Sequence, residues 1–350
     1  MNCHPSKKDR PGSRTGIIEG AMTSLLLGKG HVFWMALALA PAALKAQIAV
    51  DAARGAAAHS EAATGSRPGL HADGKSPTDN SETAPAMEGD EEYGVQKILY
   101  RRSNWEPWTF RFDFGGSYTS NVALVDKGEV DDFYLQSGVT LAYIPQIKGG
   151  LFARALLSDQ IFRYNDADFF DFDLLRAQVG LLYAFPRAGT PWDPLLGNVV
   201  VYADYNFYRI AQPWDWGDSS FDNHSITVGA DKTWRFSRGH SITAGLAGDW
   251  SVDANRPEPQ RDEYTAYVAY KVKWTSSLES TLAYRAAIYD YSEADRTDFN
   301  QIVSLGLEYK LTDWLRFNTT VSGSFNNSDR EIYDYKALNT GVFASLVMNW

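Results

Sequence analysis

The residues of this chain that could do chemistry are ionisable side chains set at alternate positions among apolar ones. Arg111, Arg154, Arg176, Arg235, Lys271, Lys273, Arg285, Lys310 and Arg316 fall on one parity, together with Asp113, Asp204, Asp231, Asp249, Glu279 and Glu308. Successive side chains of a strand point to opposite faces, so these charges share one face of a sheet. In a closed sheet that face is a lumen. A lumen of mixed charge with a slight excess of cations favours anionic or sugar-like solutes. The same charges could instead pair across strands and fill the interior. The sequence is compatible with both. Arg154, Arg176, Asp204, Asp231, Lys271, Arg285 and Arg316 are the expected lumen-lining residues.

Catalysis finds little support. His224 and His240 are the histidines of the region with strand periodicity. Asp222 and His224 share a strand face while Ser225 points away, yet a nucleophile and its base must lie within hydrogen-bond reach. A surface hydrolase using His224, with Asp215, Asp218 and Asp222 near it, is therefore the weakest reading. No GxSxG, Gly-rich phosphate loop, EF-hand loop or metal-spaced His/Cys set occurs, so no catalytic residue, cofactor or metal is expected.

Strands must position these charges. From residue 108 onward the chain divides into about twelve alternating segments, each long enough to cross a bilayer at a barrel's tilt. They lie near 108–119, 132–144, 150–164, 169–185, 198–211, 222–236, 240–253, 262–274, 277–291, 298–311, 314–326 and 336–350. Leu315, Phe317, Thr319, Val321 and Phe325 form one apolar face; Arg316, Asn318, Thr320, Ser322 and Ser324 form the polar one. Lys232 breaks the parity, but Trp234 two residues on marks an interface to which it can snorkel. Connections alternate in length, with 165–168 and 186–197 as misfits. Short turns and longer loops are the periplasmic and external connections of a single-chain barrel. Trp108, Tyr143, Trp234, Trp274, Trp314 and Trp350 fall at the short-turn ends as a membrane girdle. Tyr118, Tyr164, Phe169, Phe207, Phe221, Trp250, Tyr264, Tyr291, Phe299 and Phe325 cluster towards the other ends. Acidic residues crowd the longer loops, as hydrated surface loops would have them.

Composition agrees. Hydrophobic residues make up 44% of the 350, and mean hydropathy is −0.33, too low for a helical membrane protein. A barrel averages its two faces and escapes that test. Aromatic content is 14%, as girdles require. The net charge of −10 argues against nucleic acid. The single cysteine, Cys3, leaves no disulfide in the region of strands.

The last strand alternates Leu338, Thr340, Val342, Ala344, Leu346 and Met348 against small or polar neighbours, and closes on Trp350. This ending resembles the C-terminal assembly signal of Gram-negative outer-membrane barrels. It implies barrel-assembly machinery as a partner, beside outer-membrane lipid and lipopolysaccharide. Further motifs are Asp295-Arg296-Thr297-Asp298-Phe299, Ser304 to Leu311, Trp314-Leu315, Asn326-Asn327-Ser328-Asp329, Tyr333-Asp334-Tyr335 and Ser120-Asn121-Val122. Over about 108–350 they make the chain similar to the β-barrel porins found with exopolysaccharide export systems. That resemblance implies a porin fold and a polysaccharide export partner, and no catalytic residues.

At the N-terminus, residues 32–40 form an apolar run too short to span a bilayer, read as a signal peptide over 1–46 with cleavage after Ala46. Residues before Met22 read as an over-long start. Residues 47–107 are read as a disordered periplasmic tether, because small and polar residues bury too little to offset ordering entropy. The expectation is an all-β, closed antiparallel up-and-down transmembrane β-barrel of about twelve strands over 108–350, with a disordered N-terminal segment. It would sit in the cell outer membrane with both termini periplasmic. Its expected function is a passive channel or export-associated porin for small polar, anionic or sugar-like solutes. The alternative is a structural or interaction barrel with a packed lumen, supporting surface-polymer secretion or adhesion. Closure requires the last strand to pair with the first.

Overall fold

A computed structural model describes residues 48–58, 105–185, 197–213, 220–237 and 239–350. The residues read as a signal peptide and most of those read as a tether lie outside the described residues. The strands are β1 (Trp108–Thr119), β2 (Asp132–Tyr143), β3 (Gln146–Lys148), β4 (Leu151–Tyr164), β5 (Phe172–Ala184), β6 (Val199–Ala211) and β7 (Phe221–Ser237). They continue as β8 (His240–Ala254), β9 (Asp262–Lys273), β10 (Leu278–Tyr291), β11 (Arg296–Lys310), β12 (Leu315–Ser328) and β13 (Tyr335–Asn349). Each long strand pairs antiparallel with its sequence neighbours, and β2 pairs directly with β4. The short β3 only extends the turn before β4. The result is a closed barrel of twelve strands.

The seam lies between first and last strands. Thr109 pairs with Asn349, Phe114 with Ala344 and Thr119 with Asn339. Reciprocal backbone hydrogen bonds between Trp108 and Trp350 complete it at 3.1 and 3.2 Å. No edge is left to template aggregation. Phe343 points inward here and is 1% exposed. Its ring lies where a Cβ on Gly115 would sit. Gly115→Val is expected to overpack the seam, costing about 1–3 kcal/mol. A lower urea midpoint than wild type in lipid vesicles would register that cost, and an unchanged midpoint would count against the packing described.

Alternation sorts the faces. Phe114, Val179, Leu246, Val268, Leu282, Leu305, Val321 and Val342 are exposed on the outside, while Arg111, Asp113, Arg154, Asn318, Thr320 and Ser345 are buried inside. Such a continuous apolar exterior is costly in water and suits lipid. A strand of 12 residues rising about 3.3 Å per residue and tilted by about 45° spans roughly 28 Å, close to the hydrocarbon thickness of a bilayer. Lys232 places its ammonium 5.4 Å from the ring centroid of Trp234.

The structure differs from the sequence reading in three places. Residues 168–170 form a 3-10 turn, so β5 begins at Phe172 and the loop from β4 is longer than parity alone suggested. Carboxylates hold that loop: Asp132 accepts the backbone N–H groups of Asp166 and Ala167 at 3.0 and 2.8 Å, and Asp171 accepts that of Tyr164 at 2.7 Å. Second, Tyr164, Phe221 and Tyr291 are buried rather than part of an outer belt. Depth along the strand placed them in the belt, whereas side-chain direction decides it. Third, residues 48–58, assigned to the disordered tether, form a helix, α1. Its alanines Ala52, Ala53, Ala56 and Ala57 are buried. Small residues cannot fold alone, but they let a helix approach a preformed wall closely.

Candidate functional site

The lumen wall is built from the inward parity of β1 to β13, and its charges meet across strands. Arg154 on β4 and Asp204 on β6 form a buried two-point ion pair, with Nε to Oδ1 at 3.0 Å. Arg111 grips both oxygens of Asp113 at 2.9 and 2.8 Å, and Ser345 donates to the same carboxylate across the seam at 2.5 Å. Lys271 pairs with Glu279 at 2.6 Å, and Arg316 reaches Glu308 at 3.5 Å. Tyr267 donates to Asp231 at 2.5 Å. Arg285 pairs with Glu263.

A cavity of about 1230 Å³ runs inside. Its lining extends from turn residues Thr275 and Ser276 at one rim to Asn121 and Tyr333 at the other. Of the residues expected to line the lumen, Arg154, Arg176, Lys271, Arg285 and Arg316 border this cavity. Asp204 and Asp231 are buried behind it, under Arg154 and Tyr267 respectively. The girdle residues gather at the short-turn rim. There Trp108 stacks on Tyr143 at 4.2 Å and lies parallel to Trp350 at 6.3 Å, with Trp234, Trp274 and Trp314 exposed around the same rim.

The densest cluster lies at the long-loop rim, around α1. Asp51 accepts from Tyr291 at 3.0 Å and Arg296 at 3.1 Å, and lies 3.8 Å from Arg261. Arg54 donates to the Tyr208 hydroxyl and to the Pro259 carbonyl at 2.8 Å. Arg296 is clamped between the rings of Tyr291 and Tyr333, at 3.7 and 3.8 Å. Arg261 lies 3.6 Å over Tyr289. These residues escaped the parity count because Arg261 and Arg296 stand at or just beyond strand ends. The signal for α1 was the i, i+3 spacing of Asp51 and Arg54 within an alanine-rich run, where both charges share one helix face.

His224 packs on the barrel exterior against Tyr205 and Phe207, its Nδ1 2.6 Å from the Tyr205 hydroxyl. Ser225 faces inward and donates to Asp249 at 3.1 Å. The two cannot act as nucleophile and base. The acidic loops are used as staples: Asp222 binds Arg209, Asp329 accepts from Thr297 N–H at 3.1 Å, and Asp334 from Ser328 N–H at 2.6 Å. Burial pushes the Asp171 carboxyl up in its loop, whereas the hydrogen bond from Lys310 holds the exposed Asp313 carboxyl below its ordinary value. No group of His, Cys, Asp and Glu among the described residues could hold a metal ion.

No family model matches the chain, and no curated protein matches it. Among solved structures it is similar to an outer membrane channel from Pseudomonas putida F1, at a TM-score of 0.48 and 10% identity over 70% of this chain and 98% of that one. The KdgM porin in complex with disordered oligogalacturonate gives a TM-score of 0.37 at 8% identity, over 67% and 98%. An anion-selective porin from Comamonas acidovorans gives 0.34 at 12% identity, over 69% and 98%.

Proposed function

We propose that the chain is a passive channel of the Gram-negative outer membrane for small polar solutes, anionic or sugar-like, with α1 seated in its long-loop mouth. The observation that carries this reading is the cavity whose lining, set with charged and hydroxyl side chains, reaches from one rim to the other. Twelve strands give a bore between the filled eight-stranded barrels and the open porins of sixteen. Wall charges paired with each other leave a polar surface without a deep trap, and conduction needs binding weak enough for release. In this reading the short turns and both barrel termini are periplasmic, the signal peptide is cut after Ala46, and α1 opens the mature chain. A polysaccharide export system is the partner that the sequence resemblance suggests.

A second reading, a structural or interaction barrel with a packed lumen, is favoured by one observation: α1 buries its alanines in the mouth and binds both its charges to the wall. Planar-bilayer recording separates the two. The full chain is expected to conduct poorly, and a variant lacking 48–58 to show stable openings of several-fold higher conductance. Well-folded protein that never opens, with or without α1, would sink the channel reading.

A further inference from the structure

We propose that Arg261, Arg296 and the Tyr291 hydroxyl form a binding site for the carboxylate of a sugar acid, and that Asp51 of α1 occupies it as an internal surrogate. The inference rests on the channel reading for its solute but not for its chemistry. Asp51 is held as a ligand carboxylate would be. Oδ1 takes the Tyr291 hydroxyl at 3.0 Å and faces Arg261 at 3.8 Å, while Oδ2 takes Arg296 at 3.1 Å. The donors converge from two places: Arg261 precedes β9, while Tyr291 ends β10 and Arg296 opens β11, the two paired across one hairpin.

On the wall, Arg261 and Arg285 share Glu263, and Arg296 has Asp298 at 3.2 Å. Asp51 adds a carboxylate that both Arg261 and Arg296 reach. Arg296 is also built to hold a ligand: its side chain is 1% exposed, it lies between two tyrosine rings, and its Nε and Nη1 have no hydrogen-bond partner among the described residues. Charge-assisted hydrogen bonds from such a fixed guanidinium are strong and select planar oxyanions. The rings of Tyr289, Tyr291 and Tyr333 pack against the two guanidiniums and hold their planes in place.

A tethered carboxylate competes with free solute at an effective concentration in the millimolar range or above. Removing it is therefore expected to unmask the site. Saturation-transfer NMR on the refolded full chain in detergent, with sodium glucuronate as probe and glucose as neutral control, tests this without any need for conduction. Asp51→Ala is expected to lower the glucuronate concentration at half-saturation at least about tenfold, with no gain for glucose. Adding Arg261→Gln or Arg296→Gln to Asp51→Ala is expected to reverse the gain. Arg261 belongs to the loop before β9, so its variant tests the site even if the Arg296 variant misfolds, which heat-modifiable gel migration reveals. If Asp51→Ala binds glucuronate no better than wild type, or the Arg261→Gln double variant binds as well as Asp51→Ala, the site assignment is overturned. A protein that conducts yet shows neither change refutes the site and keeps the channel; one that binds yet never conducts does the reverse.

Discussion

Asp204→Ala is expected to destabilise the barrel by about 3–5 kcal/mol, because it strands the Arg154 guanidinium in the interior without its partner. Both side chains are almost wholly buried, and Asp204 is backed by Gly180, where a Cβ would meet its carboxylate. The Tyr202 ring lies 5.2 Å from the Arg154 guanidinium and cannot replace a carboxylate. The penalty belongs to the unpaired charge rather than to the pair. The double variant Arg154→Met with Asp204→Leu, which removes both charges and keeps the volume, is therefore expected to recover most of the loss. Urea unfolding of barrels refolded into lipid vesicles, followed by tryptophan fluorescence, measures both. A single variant as stable as wild type would mean that water reaches Arg154 freely, and the wall would then be looser than described.

Leu305→Arg is the second large effect, at about 2–4 kcal/mol of destabilisation. Leu305 lies midway along β11, is 51% exposed on the outer face, and pairs with Leu282 and Val321 on the neighbouring strands. Leu311, just past the end of the same strand, is equally exposed, yet Leu311→Arg is expected to cost only about 0–1 kcal/mol because the guanidinium there reaches the interface. Water would treat the two positions alike, so the difference tests the membrane directly. Equal costs at both positions would remove the lipid belt from the account.

Much of the barrel is legible in the sequence. Strand period is two, so parity along Leu315 to Phe325 or Leu338 to Met348 names the face of each residue without reference to its neighbours. The seam followed from the same rule, since an alternating terminal strand needs a partner and Phe110 to Tyr118 presents the matching face. Inward charge was equally readable: Arg154, Asp204, Lys271 and Arg285 sit on the parity that the structure turns inside.

What parity cannot supply is who meets whom across the barrel. Asp204 is bound by Arg154 from a strand two places away, and Glu263 is shared between Arg261 and Arg285, because closure and register bring those positions together. Parity also loses its meaning where strands end, which is why Arg261, Arg296 and the inward turn of Tyr291 went unread. The helix α1 was missed for a related reason. Its alanine-rich sequence buries too little surface to fold alone, and its order comes from a wall that supplies Arg261, Arg296 and Tyr208 to its two charges. Local pattern by itself determined the strands, their faces and the closing pair. Only the tertiary structure decided which charges are neutralised and that the cavity mouth is occupied, since both depend on contacts between residues as far apart as Asp51 and Arg296.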